Sequence, residues 1–405
     1  MFCSSHKSLS SRLSVGAAVL LVCGWYTAPA WADDSFHPFA ALSYSYDDNL
    51  FRVPDDSPGY DNQRGDRSRM AQGGLLFNHT YGREVVNLQA KVSRVTFDHF
   101  TQLDYNGKDL LADLGWHMGN HVDGTLGVSY TEVLAPYTDV STRERNVRKV
   151  RNEYASANWA VHPSWRLRVA GSSVRSTYDL STQAYNNRTD DALETGLDYG
   201  VSSGSTLGVQ VREARTDYDL QRLVGNQLVD AGSRQRDIKL RAYWKVTGVT
   251  DLLFLGGWAK RTHAFFTEQD SSGVNARLVG NTVFSGSTAL TASAWHEYAG
   301  AENNVVSYSL NTGASAGATW TASSKLQATA QWRYERRNFK GYLLQTLGLD
   351  LYDTNHNTSV GLVYVPTRLV QLNLSAYRET RGGVPLLGYN SYHSNGMSLT
   401  ASLQY

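Results

Sequence analysis

The stretch Met397-Ser398-Leu399-Thr400-Ala401-Ser402-Leu403-Gln404-Tyr405 alternates apolar and polar residues without interruption. Successive side chains of a strand point to opposite faces, so this segment has one apolar and one polar face. A soluble chain seldom ends inside a core strand because termini fray. The last strand of a closed membrane barrel, in contrast, must pair with the first so that no backbone edge meets lipid. We therefore predict that this segment closes an outer-membrane β-barrel; the alternative is an edge strand of a soluble β-sandwich.

Period-2 alternation recurs along the chain. It is clearest at 86–93, 238–246, 326–335 and 370–377. Mean hydropathy is negative, which a membrane barrel tolerates because only alternate residues face lipid while the others face a wet lumen. Many such segments, without a competing helical period, predict an all-β protein: a transmembrane antiparallel β-barrel.

The connections between these segments alternate in length. Tight turns are predicted at 80–84, 119–122, 161–164, 202–205, 247–250, 285–288, 322–324 and 365–368, and longer polar loops at 51–67, 98–105, 135–150, 177–188, 215–235, 264–273, 298–304, 338–351 and 380–391. Short periplasmic turns and long external loops are typical of outer-membrane barrels. Eight turns and nine loops join about 18 strands (16–18), with both termini periplasmic.

The first 32 residues have the features of a secretory signal peptide. Lys7 and Arg12 precede an apolar run, and Ala30-Trp31-Ala32 provides a small-x-small cleavage site. We assign 1–32 to the signal peptide and 33–405 to the barrel, which implies location in a bacterial outer membrane. Both cysteines, Cys3 and Cys23, lie in the removable segment, so disulfides and thiolate metal sites are excluded from the mature chain.

The polar registers of the predicted strands identify candidate pore-lining residues. They are Lys91, Arg166, Arg168, Arg212, Lys239, Arg241, Tyr243, Lys245, Arg333, Tyr377 and Arg378. Glu335 is the clearest acid in these registers. Because the net charge of the chain is close to zero, we expect most acids to lie in the loops. A basic lumen favours anionic solutes; the alternative is a lumen whose charges are paired and only keep it hydrated.

The chain has no nucleophile motif, zinc-ligand spacing or glycine-rich phosphate loop. We therefore predict that the protein is not an enzyme and has no cofactor, no metal and no nucleic-acid partner. The expected partners are outer-membrane lipid and lipopolysaccharide.

Tyr46-Asp47-Asp48-Asn49-Leu50-Phe51-Arg52 forms a recognisable motif at the end of the first strand. It resembles the EpsL-like outer-membrane β-barrels of exopolysaccharide export, which are linked to exosortase B gene clusters. Further similar pieces are Tyr81-Gly82-Arg83, Leu103-Asp104-Tyr105 and the stretch 116–127. The resemblance implies an outer-membrane exit for a secreted polysaccharide, which would work with a periplasmic polysaccharide-export protein and an inner-membrane synthesis system. The same motif also suits a strand end that begins a loop, since Asp and Asn favour turns.

Three functions follow from these observations. The first is a passive channel for exopolysaccharide, in which weak contacts at many positions let the polymer pass. The second is a general or substrate-specific diffusion porin, which has the same fold but a different cargo. The third is an outer-membrane enzyme or adhesin.

Overall fold

The structure is a computed structural model that describes residues 35–138, 142–224, 226–265, 267, 270–300, 306, 308–341, 344 and 347–404. The predicted signal peptide, 1–32, lies outside the described residues, as does Tyr405.

Antiparallel strands account for most of the described chain. In chain order they are β1 (Ser35–Asp47), β2 (Asp66–Tyr81), β3 (Glu84–Phe97), β4 (Tyr105–Met118), β5 (Val122–Leu134), β6 (Val147–His162), β7 (Trp165–Tyr178), β8 (Arg188–Gly200), β9 (Thr206–Tyr218), β10 (Arg222–Val224), β11 (Gln227–Val229), β12 (Ser233–Lys245), β13 (Thr250–His263), β14 (Ser271–Val283), β15 (Thr288–Gly300), β16 (Tyr308–Ser323), β17 (Leu326–Lys340), β18 (Tyr352–Thr367), β19 (Val370–Gly382) and β20 (Tyr392–Gln404). The short strands β10 and β11 form a hairpin inside one long loop. Within the described ranges, the other 18 strands form one sheet, as the turn count predicts.

The sheet is closed. Each barrel strand pairs with its neighbours in the chain, and β1 pairs with both β2 and β20. At the seam, Phe39 lies opposite Gln404 and Ser43 lies opposite Thr400. The prediction that the last segment is the closing strand is therefore confirmed.

The outer surface of the barrel carries the apolar registers. Leu399 and Leu403 of β20 are exposed there, as are Ile238 and Leu240 of β12. Eight positions separate Trp244 from the charged Arg236 on the outer face of β12. At about 3.4 Å per residue and a tilt of about 40°, this apolar band is about 20 Å tall, which is close to the apolar band of membrane barrels. The protein is a transmembrane β-barrel.

Tryptophans border this band where the tight turns lie. Trp159, Trp165, Trp244 and Trp320 are 41–58% exposed on the outer face. Amphipathic indole rings prefer the membrane–water interface, so these side chains belong to an interfacial aromatic belt.

All eight predicted tight turns connect neighbouring strands. Gly119 and Gly286 occupy two of them with a φ of +60°, a conformation that favours glycine. The start of β1 and the end of β20 both lie at this tight-turn end of the barrel; that this end is periplasmic remains a prediction. No described helix is long and apolar enough to cross a membrane.

The long loops pack on the opposite end of the barrel, here called the loop end. One cluster of buried side chains joins the first three long loops to inward residues of β3; its members are Phe51, Val53, Val95, Phe97, Phe100, Leu103 and Tyr137. A second cluster joins later loops to β17, through Val306, Phe339, Leu344, Val384, Leu387 and Tyr389. The loops thus pack against the inner wall at the loop end.

Candidate functional site: the lumen wall

The structure places ten of the eleven candidate pore-lining residues in the inward registers. Seven of them, on β7, β9 and β12, lie in one sector: Arg166, Arg168, Arg212, Lys239, Arg241, Tyr243 and Lys245. Lys91 and Arg333 face the lumen elsewhere, and Tyr377 faces inward beside the seam. The sequence therefore identified inward cations that strand pairing brings together in this sector.

The prediction for Arg378 is wrong. Arg378 is exposed and shares its register with the outward-facing Leu374 and Ala376, whereas its neighbours Tyr377 and Glu379 bond to residues inside the barrel. Consecutive residues of a strand face opposite sides of the sheet, so Tyr377 and Arg378 cannot both line the lumen.

Strand pairing assembles the central cations into a compact surface. One row across β7, β8, β9 and β12 contains Arg166, Asp198, Gly208 and Arg241. The next row contains Arg168, Gly196, Gln210 and Lys239, and the third contains Glu194, Arg212 and Asp237. We call this set of five cations (Arg166, Arg168, Arg212, Lys239, Arg241) and three acids (Glu194, Asp198, Asp237) the basic lumen patch.

The acids of the basic lumen patch lie beneath its arginines. Asp198 Oδ2 accepts hydrogen bonds from Arg168 Nε at 2.7 Å and Arg241 Nη1 at 3.3 Å. Asp237, with a side chain only 1% exposed, is 3.6 Å from Arg212 Nη1. The expectation that acids lie mainly in the loops is therefore wrong, because cross-strand pairing neutralises inward arginines with acids from neighbouring strands. The alternative of a lumen with paired charges is correct for part of this wall.

Two glycines make these close contacts possible. A Cβ at Gly208 would lie 2.0 Å from Asp198 Oδ1, and a Cβ at Gly196 would lie 2.7 Å from Arg168 Nη2. Glycine in a strand interior often marks such a close approach. The missing side chains let the carboxylate and the guanidinium lie flat against the wall.

Two cations of the patch are not ion-paired with a described carboxylate. Within the described ranges, neither Arg166 nor Lys239 has a carboxylate oxygen within 4.0 Å of its charged nitrogens. Five cations against three acids leave a net charge of +2 on this patch.

A second sector, on β4 and β5, is acidic. Asp109 accepts a hydrogen bond from Gln89, Asp113 accepts one from Tyr154, and Asp123 accepts one from Asn158, at 2.7–2.8 Å. All three donors are neutral, so these hydrogen bonds do not form ion pairs with the carboxylates. Asn158 pairs in register with both Asp123 and Arg168, which makes the acidic sector and the basic lumen patch neighbours.

Arg333 lies in a third, ion-paired sector. Its guanidinium is 4.4 Å from the ring centre of the buried, inward Trp295 and binds Glu335 at 2.7 Å. Trp295 Nε1 donates to the same carboxylate at 2.9 Å. Trp295 was not predicted as a lumen residue, although its place in the polar register of β15 was a signal for it.

The motif 46–52 closes the seam of the barrel. Asp48 accepts bonds from the backbone and side chain of Asn395 at 2.7 and 2.8 Å, and Asn49 donates to the carbonyl of His393 at 3.0 Å. The buried Arg52, with a φ of +54°, binds Asp47 at 2.8 Å and Glu379 at 3.2 Å. The first loop is thereby fixed to the last two strands. We call Asp47, Asp48, Asn49 and Arg52, with their partners Glu379, His393 and Asn395, the seam latch.

The remaining members of the motif are apolar or aromatic residues next to the seam latch in the chain. Phe51 enters the first loop cluster and Leu50 packs against it, while Tyr46 points outward. Tyr377 donates a hydrogen bond to Asp47 at 2.6 Å, so this candidate pore residue is engaged in the seam latch. The sequence identified the motif but not this structural role, which links positions about 340 residues apart.

A loop carboxylate extends the seam latch on the exposed side. The backbone nitrogen of His393 donates to Asp55 at 3.0 Å, and the two side chains are also paired. Burial on its own would raise the pKa of Asp55, but hydrogen bonds from His393 and Arg64 outweigh it and hold the pKa below its usual range. Among the described residues, no three His, Cys, Asp or Glu side chains form a group suited to a metal ion.

No protein-family model matches the chain, and a search of curated proteins finds no match. Several solved structures are similar to it. OpdK, an outer membrane protein of Pseudomonas aeruginosa, is 12% identical, with 92% of this chain and 98% of OpdK covered and a TM-score of 0.47. OccAB3 of Acinetobacter baumannii is 8% identical over 93% of this chain and 100% of its own, with a TM-score of 0.48. The iron transporter FrpB of Neisseria meningitidis is 9% identical over 87% of this chain and 62% of its own, with a TM-score of 0.49. At these identities and scores, the similarities assign neither a family nor a function to this chain.

Proposed function

We propose that this protein is an outer-membrane channel for polar solutes, and that its lumen favours solutes with a negative charge. The observation that carries the proposal is the basic lumen patch, a cross-strand surface of five cations with a net charge of +2. A surface with a net excess of one charge sign raises the local concentration of the opposite ion.

The ion-paired arginines favour passage of an anion over its tight binding. Arg168 and Arg241 share Asp198, so an arriving anion meets donors that are already partly satisfied. Conduction requires attraction that is strong enough for entry and weak enough for release. The neighbouring Asp123 and Asn158 then supply hydrogen-bond acceptors and donors for the neutral part of a solute.

The loop clusters favour small solutes over a wide, open conduit. Phe51 and Phe100, whose ring centres lie 4.7 Å apart, pack over the inward Phe97. An 18-stranded barrel leaves an aqueous channel unless loops fill it. Loops that narrow the mouth therefore set an upper size for the cargo.

Uptake into liposomes that contain the mature chain tests this function. We expect glucuronate to enter faster than glucosamine, which is similar in size but cationic. Arg166→Gln with Lys239→Gln should reduce that preference, because neither cation has a carboxylate partner within the described part of the chain. Equal uptake of both sugars by the unmodified protein contradicts the proposed selectivity.

A second candidate is export of an exopolysaccharide, together with a periplasmic polysaccharide-export protein. The resemblance of Tyr46–Arg52 to the EpsL-like barrels favours it. A polymer would have to pass the mouth, so the first loop cluster would have to part during export. Catalysis forms no part of either candidate.

A disulfide that holds the first loop cluster closed distinguishes the two candidate functions. The chain has no cysteine after Cys23, so Phe51→Cys with Phe100→Cys introduces the only thiols of the mature protein. Oxidation that retains polymer in the periplasm, and reduction that restores surface polymer, support export. Normal surface polymer in a deletion strain, with slower entry of small acids, supports the diffusion channel.

A further inference from the structure

The outer surface of β15–β20 differs in charge from the rest of the barrel. Among the described residues, the outward registers of these six strands contain no Asp or Glu. They do contain Arg336, Arg378 and His356. Three loop carboxylates that the structure describes at this end have other partners: Asp48 binds Asn395, Asp55 binds His393 and Asp350 binds Lys340.

Outward cations on the other strands are mostly neutralised. The following pairs lie within 4.0 Å: Arg94–Asp104, Lys108–Glu132, Arg151–Glu153, Arg175–Asp219, Arg215–Asp217 and Arg236–Glu213. Arg336 and Arg378 have no such carboxylate in the part of the chain that the structure describes. Arg336 and Arg378 therefore form an unneutralised cationic surface within the β15–β20 sector.

Strand pairing brings these groups close together. Arg336 pairs with Thr354, and Tyr334 pairs with His356, between β17 and β18. Arg378 pairs with Thr358 between β18 and β19. His356 is consequently a diagonal neighbour of both arginines, at a backbone separation of about 7–8 Å for each.

Aromatic rings fix the orientation of these side chains. The Arg336 guanidinium carbon lies 3.8 Å from the ring centre of Tyr352, and Arg336 Nε donates to Asn338 at 3.1 Å. The rings of Tyr334 and His356 are 4.6 Å apart. We call Arg336, Arg378, His356, Tyr334 and Tyr352 the outer cationic patch.

The patch lies at the edge of the apolar band. Val360, Leu362 and Leu374 are exposed on the same face, toward the tight turns, and Trp332 shares a pairing row with Thr358 and Arg378. Lipid headgroups occupy this level of a membrane, with acyl chains against the apolar side chains below.

We propose that the outer cationic patch binds the phosphate group of an anionic lipid in the leaflet at the loop end. Arginine provides planar, charged donors suited to phosphate, and the apolar surface below it contacts the acyl chains. A water-soluble acidic polymer would have no use for that apolar surface. The site does not depend on what passes through the lumen.

Lipid binding to the detergent-solubilised mature protein, followed by native mass spectrometry, tests the site. The probes are phosphorylated lipid A and the same lipid after removal of its phosphates. Each arginine near a charged membrane surface contributes to the free energy of lipid binding. The loss of two arginines should therefore weaken the binding of the lipid about 30-fold. We expect Arg336→Gln with Arg378→Gln to show that loss for phosphorylated lipid A and no change for the dephosphorylated form.

Arg151→Gln with Arg215→Gln is the matched control, because it removes the same charge from outward arginines that already have carboxylate partners. We expect its affinity to stay within about threefold of the unmodified protein. Equal losses in both double variants would mean that general charge, rather than this patch, attracts the lipid. Unchanged binding in the first double variant, or binding of inorganic phosphate as tight as that of the lipid, would also overturn the proposal. Far-UV circular dichroism checks that each variant retains the barrel.

Discussion

Reversing Arg166 and Lys239, which have no carboxylate within 4.0 Å among the described residues, provides the most direct test of the channel. Arg166→Glu with Lys239→Glu changes the net charge of the patch from +2 to −2 and leaves the contacts of Asp198 and Asp237 in place. Selectivity should therefore change without loss of the ion pairs that support the wall.

The magnitude follows from the size of the barrel. Eighteen strands about 4.8 Å apart and tilted by about 40° give a radius of about 18 Å, so an ion near the axis passes about 10 Å from the charged ends. At that distance one unit charge contributes about 0.4 kcal/mol in water, and screening at 0.1 M salt reduces this to about 0.15 kcal/mol. Four charge units change the energy of an anion by about 0.6 kcal/mol and that of a cation by the same amount in the opposite direction. The anion-to-cation permeability ratio should fall about eightfold.

Reversal potentials in planar bilayers with a salt gradient measure this ratio. At 1 M salt the Debye length is about 3 Å, so the difference between the variant and the unmodified protein should almost disappear. Arg67→Glu with Lys260→Glu is the matched control, because both residues are exposed on the outer face. An unchanged ratio at 0.1 M salt, or an equal change in the control, would refute the assignment of this wall to the conducting path.

Three further predictions concern the seam latch, the wall and the membrane position. Arg52→Met leaves two inward carboxylates without their cation and should lower the free energy of unfolding by about 3–5 kcal/mol; a urea titration that shows less than about 1 kcal/mol would contradict the latch. Gly208→Ala places a methyl group where a carboxylate lies and should destabilise the barrel, whereas Gly171→Ala, whose Cβ would meet nothing closer than 3.8 Å, should not; thermal unfolding compares the two. In single-tryptophan variants, brominated lipids should quench Trp320 and leave Trp295 unquenched; quenching of both rings would contradict their assignment to opposite faces.

Much of this architecture could be predicted from local sequence. The alternation in 397–404 and 238–246 identifies the strands and their apolar faces, because a two-residue period is a property of the extended chain itself. The eight tight turns follow from the same pattern, since a polar interruption of a few residues allows only a hairpin. The closing role of the last strand follows from the cost of a free backbone edge in lipid.

The error at Arg378 has a local cause as well. Alternation assigns Leu374 and Ala376 to the outer face, and the same count carried two residues further assigns Arg378 there too. The positive charge of Arg378 suggested a position in the lumen, but the register of the strand determines which face of the sheet a side chain occupies. The outer cationic patch becomes visible only when register is followed through the end of each strand.

The sequence by itself determined the strands, the turns, the two faces and the closure, because these depend on neighbours within a few residues. Only the tertiary structure decided which charges meet, because the partners are distant in the chain: Arg168 and Asp198 are 30 residues apart, and Arg52 and Glu379 are 327 residues apart. Strand order and register set those encounters. They bring acids next to the inward cations, so that the wall is partly neutralised. They also place the motif 46–52 against the last two strands, where it holds the seam closed.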